Sequence, residues 1–129
     1  IVIDMGTATT FCKLHGNRYQ GGCIAPGLKL SIEALWRNTA QLPPVEFVRP
    51  EAVTGHSTIK ALQSGFYYGW IGLLKEVIAQ LRAENPERSY RTVATGGLSA
   101  LIQSYAQIFD VVDSLLTLRG LKAIYGKQS

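Results

Sequence analysis

The residues best suited to chemistry lie in one short run, Asp4-Met5-Gly6-Thr7-Ala8-Thr9-Thr10. An acid is followed by a glycine and then by hydroxyls. A glycine lets the backbone come close to an anion. Its neighbouring N–H groups, with the hydroxyls of Thr7, Thr9 and Thr10, can donate to phosphate oxygens. The Asp4 carboxylate is an oxygen ligand of the kind a hard cation takes. The same residues also suit a strand-end turn closed by an Asx hydrogen bond. Two further glycine turns are Gly21-Gly22, followed by Pro26-Gly27, and Thr95-Gly96-Gly97-Leu98. The first of these reads as strand bends and a helix start. The second places two glycines at a strand-to-helix junction, where exposed backbone N–H groups can meet a flat or charged ligand.

Composition narrows the partners. The chain has 129 residues, 47% hydrophobic and 17% charged, which is the make-up of one globular domain and too poor in charge for a disordered tail. Thirteen Lys and Arg against nine Asp and Glu give +4, and the cations are scattered. A nucleic-acid footprint needs them clustered, so no nucleic-acid partner is expected. The charge-free stretch Ala61–Leu74 falls short of the ~20 residues that span a bilayer, so no membrane partner is expected either. Cys12 and Cys23 make neither a disulfide framework nor a metal set, and there is no Cys-x-x-Cys or His-x-x-x-His. Ile1 opens the chain inside what reads as a strand, which implies a preceding N-terminal part.

The elements that must position the turns follow from hydrophobic spacing. Ile1–Ile3 is a β-branched run ending at the Asp4 turn. Thr9–Leu14 and Arg18–Ile24 form a hairpin around Gly16-Asn17. A two-residue turn there pairs His15 with Arg18 and Cys12 with Gly21, and sets Cys23 against Thr10. A helix over Leu28–Thr39 carries Leu28, Ile32 and Leu35 on one face, and Val45–Pro50 is extended. Ser57 is a good N-cap for a long helix that Pro86 closes. Leu62, Phe66, Trp70, Leu73, Val77 and Leu81 form one of its stripes; Ile59, Tyr67, Ile71, Leu74 and Ile78 form another. Gly65, Gly69 and Gly72 make a third, smooth line, which predicts close approach of another backbone. A strand at Arg91–Ala94, a helix at Leu98–Tyr105, a strand at Phe109–Val112 and a helix at Leu116–Tyr125 complete the chain. The order is βββα and then αβαβα, the pattern of a three-layer α/β domain.

Three glycine turns in this frame resemble the half-domain shared by acetate and sugar kinases, heat-shock chaperones and actin, where two such halves clamp a nucleotide. The match narrows further. Asp4-Met5-Gly6-Thr7-Ala8, Gly21-Gly22-Cys23-Ile24-Ala25-Pro26-Gly27, Leu42-Pro43, Thr58 with Gln63-Ser64-Gly65, and Thr95-Gly96-Gly97-Leu98 occur in the order found in type III pantothenate kinases. The resemblance covers nearly the whole chain. It implies that residues 1–129 are one ribonuclease H-like domain with a mixed sheet, the C-terminal half of such an enzyme, with the family's N-terminal half absent.

That family phosphorylates pantothenate with ATP in the first step of coenzyme A synthesis. The resemblance implies a monovalent cation, potassium or ammonium, at Asp4. It implies ATP contacts at Gly6 and Thr7, the adenosine side of the nucleotide at Gly96 and Gly97, and a pantothenate contact from Thr58 that reaches into a neighbouring subunit of a homodimer. Magnesium on the phosphates and a cytoplasmic location are implied as well. The general base is expected in the absent half, so no catalytic residue is assigned here. Thr58 equally suits a plain first-turn helix position, and His56 a surface or capping one. Two positions depart from the family's pattern: Cys12 stands where an Asp is usual, and Ser57 where an Asn is frequent. The alternative is a non-catalytic homologue, acting as a transcriptional accessory factor or a dimerisation module.

Overall fold

The computed structural model describes residues 1–128. Its elements are β1 (Val2–Met5), β2 (Ala8–His15), β3 (Arg18–Pro26), α1 (Leu28–Arg37), α2 (Thr58–Ala83), β4 (Val93–Thr95), α3 (Ser99–Ala106), β5 (Val111–Val112) and α4 (Leu116–Gln128). The sheet order is β3-β2-β1-β4-β5. β3, β2 and β1 are antiparallel neighbours, whereas β1, β4 and β5 run parallel. The order and the mixed sheet are those read from the sequence, with the three-layer α/β character of a ribonuclease H-like domain.

Register sorts each strand's side chains onto two faces, because residues directly opposite share a face and successive residues alternate. Ile3 pairs with Phe11 and Ala94, and Met5 with Thr9. This face is buried and packs against Tyr67, Trp70, Ile71, Leu74 and Ile78 of α2. The opposite face carries Val2, Asp4, Thr10, Cys12 and Val93. On its outer rim Leu14, Tyr19 and Ile24 are 37%, 65% and 78% exposed.

One of the two long stripes of α2 is core, apart from Ile59, which is exposed. On the other, Trp70 and Leu81 are buried, while Leu62, Phe66, Leu73 and Val77 are half-buried. A Cβ built at Gly65, Gly69 or Gly72 would meet nothing within 4 Å. No backbone of the described residues therefore lies against that line, and the expected close approach does not occur within the chain.

The β2–β3 hairpin corrects the expected register. His15 pairs with Arg18 as read, but a bulge between Lys13 and Leu14 shifts everything beyond it by one residue. Cys12 faces Gly22 and Cys23 faces Phe11. Gly21, at φ +106, absorbs the extra residue. The two cysteines thus lie on opposite faces, and both are free.

Lys13 ties the hairpin to α2. Its side chain is 5% exposed, and Nζ donates to the Leu81 carbonyl at 2.7 Å and to Glu84 Oε2 at 2.7 Å. Nζ also lies 5.1 Å from the Tyr90 ring centroid. A helix leaves its last carbonyls unsatisfied, and a cation there serves both the carbonyls and the helix dipole. At the far side of the sheet Asp110 accepts from Thr92 N at 2.7 Å and from Thr92 Oγ1 at 2.9 Å, which joins the start of β4 to that of β5.

Lys13→Met keeps the apolar stem but strands the Leu81 carbonyl, and should cost about 1–3 kcal/mol in denaturant unfolding. Glu84→Gln, at an exposed partner, should cost less than about 1 kcal/mol. The Thr92 hydrogen bonds, with Arg82 nearby, hold the Asp110 carboxyl below its usual range. A depressed folded value contributes stability above the unfolded one, and that contribution is lost as pH falls through the folded one. The melting-temperature gap between the wild type and Asp110→Ala should therefore be full at neutral pH and close below about pH 4.

Candidate functional site

Three chain segments meet at the C-terminal end of β1. Gly6 N donates to the Ala8 carbonyl at 3.1 Å, which closes the turn after Asp4. Gly27 N donates to the Thr7 carbonyl at 2.9 Å. A Cβ at Gly27 would fall 2.1 Å from the Thr7 oxygen and 2.6 Å from that of Gly6. Gly96 comes in from β4 at φ +96, and a Cβ there would fall 2.5 Å from the Met5 carbonyl oxygen. Any larger residue would force these segments apart. Gly27 is the N-cap of α1, and its carbonyl accepts from Ser31 N at 2.9 Å. The Gly96 carbonyl accepts from Ser99 N at 3.2 Å and from Ser99 Oγ at 2.7 Å, starting α3. Two helix N-termini thus converge on the carboxyl ends of β1 and β4, where open α/β sheets bind ligands and anions are favoured.

The glycines divide into two kinds. Gly27 and Gly96 have no room for a side chain. Gly97 is exposed with nothing within 4 Å of a Cβ, and Gly6 has only ordinary contacts, the nearest at 3.7 Å. Backbone at Gly6 and Gly97 is therefore open to a ligand. The Gly21-Gly22 pair lies away from this junction, in the hairpin bulge, and Gly22 packs against the Phe11 carbonyl. Strand bending is its role. Leu28 and Leu98, next to Gly27 and Gly97, line an apolar groove of about 440 Å³ with Ile32, Trp36, Phe47 and Leu101.

Asp4 is half-buried and lies between Thr10 on β2 and Thr95 on β4, all on one face. No side-chain donor or cation of the described residues reaches its carboxylate. A carboxylate partly out of water with no protein partner is suited to a cation. The hydroxyls near it do not act as one set. Thr7 is exposed at the turn and Thr10 half-buried beside Asp4. Thr9 alternates to the core face, fully buried, with Oγ1 unpartnered. The expectation that Thr9 donates to a phosphate is corrected by that alternation. Cys12 lies on the Asp4 face, diagonally across from it. No cluster of three or more His, Cys, Asp or Glu that could hold a metal occurs among the described residues.

Thr58 is exposed as the first residue of α2, after Ser57, whose side chain accepts from Lys60 N at 3.1 Å. It lines a different groove, of about 440 Å³, with Leu35, Leu42, Leu62 and Phe66. His56 is exposed. Neither is joined to the Asp4 turn by any contact of the described residues.

Residues 1–80 match the family described as type III pantothenate kinase. The chain belongs to the type III pantothenate kinase family. A type III pantothenate kinase of Dehalococcoides mccartyi is 48% identical over 126 residues, covering 97% of this chain and 48% of that protein. One from Geobacillus thermodenitrificans is 42% identical over 130 residues, covering 100% and 50%. A solved structure of a Baf family transcriptional activator from Campylobacter jejuni superposes with a TM-score of 0.66 at 25% identity, over 98% of this chain and 57% of that one. The chain spans about half the length of the curated relatives it matches. No helix of the described residues is long and apolar enough to cross a membrane.

The sequence reading missed three contributors: Gly27 as a point of backbone contact, Thr95 beside Asp4, and the groove at Leu28 and Leu98. Strand register carries the first two, and glycine identity alone does not separate Gly27 from Gly97. That division is testable. Gly27→Ala and Gly96→Ala should each cost at least about 1–3 kcal/mol in denaturant unfolding, through overpacking and, at Gly96, a left-handed φ. Gly97→Ala should leave the midpoint within experimental scatter.

Proposed function

We propose that this chain is the cation- and nucleotide-binding half of a pantothenate kinase that passes the γ-phosphate of ATP to the primary hydroxyl of pantothenate, in coenzyme A synthesis. The observation that carries the reading is the convergence of the Gly6, Gly27 and Gly96 turns beside a carboxylate that no protein group neutralises. The Thr7 hydroxyl donates to phosphate oxygens, and Gly6, whose N–H is taken by the Ala8 carbonyl, lets them come close because it carries no side chain. Gly97 lets the nucleotide pass close to the start of α3, and the apolar groove at Leu28 and Leu98 receives its adenosine side. Asp4, flanked by Thr10, holds a potassium or ammonium ion that offsets phosphate charge.

Phosphoryl transfer is mostly positioning and charge stabilisation. The acceptor oxygen bonds to the γ-phosphorus as the bond to the ADP oxygen breaks, and the acceptor's proton passes to a base. This chain supplies phosphate donors and the Asp4 cation site; the base is assigned to the half of the longer relatives that this chain does not match. Magnesium supplies charge neutralisation on the phosphates. Two copies pair through the bare glycine line of α2, and Thr58 then contacts pantothenate held by the neighbouring subunit. The enzyme works in the cytoplasm, without nucleic acid or membrane.

A second reading has its own observation. The Campylobacter structure is named for the Baf family of transcriptional activators, and Cys12 stands where the family resemblance has an acid. Tight ATP binding without turnover would favour that reading.

The test joins this chain to the half of the Dehalococcoides relative that it does not match, and follows ADP release with ATP, magnesium and pantothenate. Potassium-stimulated release is expected. Asp4→Asn should raise the potassium needed for half-stimulation by about tenfold or more, the loss of about 1.4 kcal/mol of ion binding. Cys12→Asp, which adds a second carboxylate diagonally across from Asp4, should lower it. A folded chimera that binds ATP without releasing ADP would overturn the kinase reading.

A further inference from the structure

The segment between α1 and α2 is fastened to the start of α2 at two points. Ser64, only 3% exposed, donates its hydroxyl to the Val53 carbonyl. Gly55 lies directly on the helix backbone: a Cβ there would fall 2.4 Å from Ala61 N and 2.5 Å from the Lys60 carbonyl carbon. Held in this way, residues 48–56 and the first turns of α2 enclose a cavity of about 390 Å³. Its polar lining is Arg49, Glu51, Thr54, His56, Lys60 and Gln63.

The charged side chains of this cavity do not neutralise one another. No ion pair or side-chain hydrogen bond of the described residues involves Arg49, Glu51, His56 or Lys60. Two fixed cations therefore stand against one carboxylate, with the Thr54 hydroxyl and the His56 ring as further donors. A guanidinium meets two oxygens of a phosphate at once, and an ammonium beside it serves a third.

We infer that this cavity binds a small phosphate monoester, at a place separate from the turns after β1 and β4. The phosphate oxygens accept from Arg49, Lys60 and Thr54. Glu51 and Gln63 bond a hydroxyl or amine on the alcohol part of the ester, for which the cavity has room. Thr58 is not part of it. That residue opens on the groove of Leu35 and Leu42, which shares no lining residue with this cavity. The inference does not rest on the kinase reading.

Amide NMR of this chain, titrated with glycerol phosphate, tests it. Saturable shifts are expected at residues 48–56, Lys60 and Gln63. Arg49→Gln with Lys60→Gln should weaken that binding by about tenfold or more, through the loss of charge-assisted hydrogen bonds. Any response at residues 5–8 and 96–99 should stay as it was, which keeps this result apart from the nucleotide site. Both substituted side chains are exposed and unpaired, so the double variant should keep the wild-type melting temperature. Shifts confined to residues 5–8 and 96–99 would overturn the inference. So would shifts that sodium chloride reproduces at equal ionic strength, acetate binding as tightly as the ester, or a double variant that binds like the wild type. Should the double variant not fold, Glu51→Gln, which removes the one acid of the lining, must tighten binding, and failure to do so overturns the inference equally.

Discussion

Everything at the candidate site depends on how closely three backbones approach the end of β1. At Gly27 and Gly96 the neighbouring carbonyls stand where a Cβ would be. That closeness lets Gly27 N reach the Thr7 carbonyl and sets the first turn of α1 against the Asp4 turn. It also lets Gly96 turn sharply out of β4 into α3. A junction of this kind uses Gly27 and Gly96 for packing and leaves Gly6 and Gly97 exposed. Parallel pairing of β1 with β4 brings the two strand ends level, which is why residues more than 90 positions apart form one surface.

Much of this was legible in the sequence. Hydrophobic spacing and turn residues placed every strand and helix in the observed order, because local pattern and global fold agree along most of the chain. Asp4, Gly6 and Thr7 were picked out by residue type, and the structure brings Gly96 to the same place. What failed depended on long-range geometry. The bulge at Gly21 moves the Cys12 partner by one residue; Gly21-Gly22 reads as a strand bend, but the pair does not say that the register shifts. Thr9 and Thr10 are identical as letters, yet strand alternation sends one into the core and the other beside Asp4. The burial of Lys13 follows only from where α2 ends.

The molecule is also marked by what it leaves uncovered. The sheet is well packed on the α2 side, where Leu74 and Ile3 are fully buried. The Asp4 face, the exposed Leu118, Leu121 and Ile124 of α4, and the glycine line of α2 are not. Small residues on an exposed helix give up stability for closeness, which is useful only where another surface comes near. Exposed apolar surface of this kind, beside a half-buried Asp4 carboxylate that no described residue pairs, is suited to contact with other bodies. The curated relatives are about twice as long.

The turns after β1 and β4 are proposed to form one nucleotide-binding surface. Hydrogen exchange of the chimera with and without a non-hydrolysable ATP analogue tests it most directly. Slowed exchange at residues 5–8 and 96–99 together, with the Gly21-Gly22 hairpin unchanged, is the predicted result. Bound nucleotide that protects neither turn, or protects the hairpin instead, would contradict it.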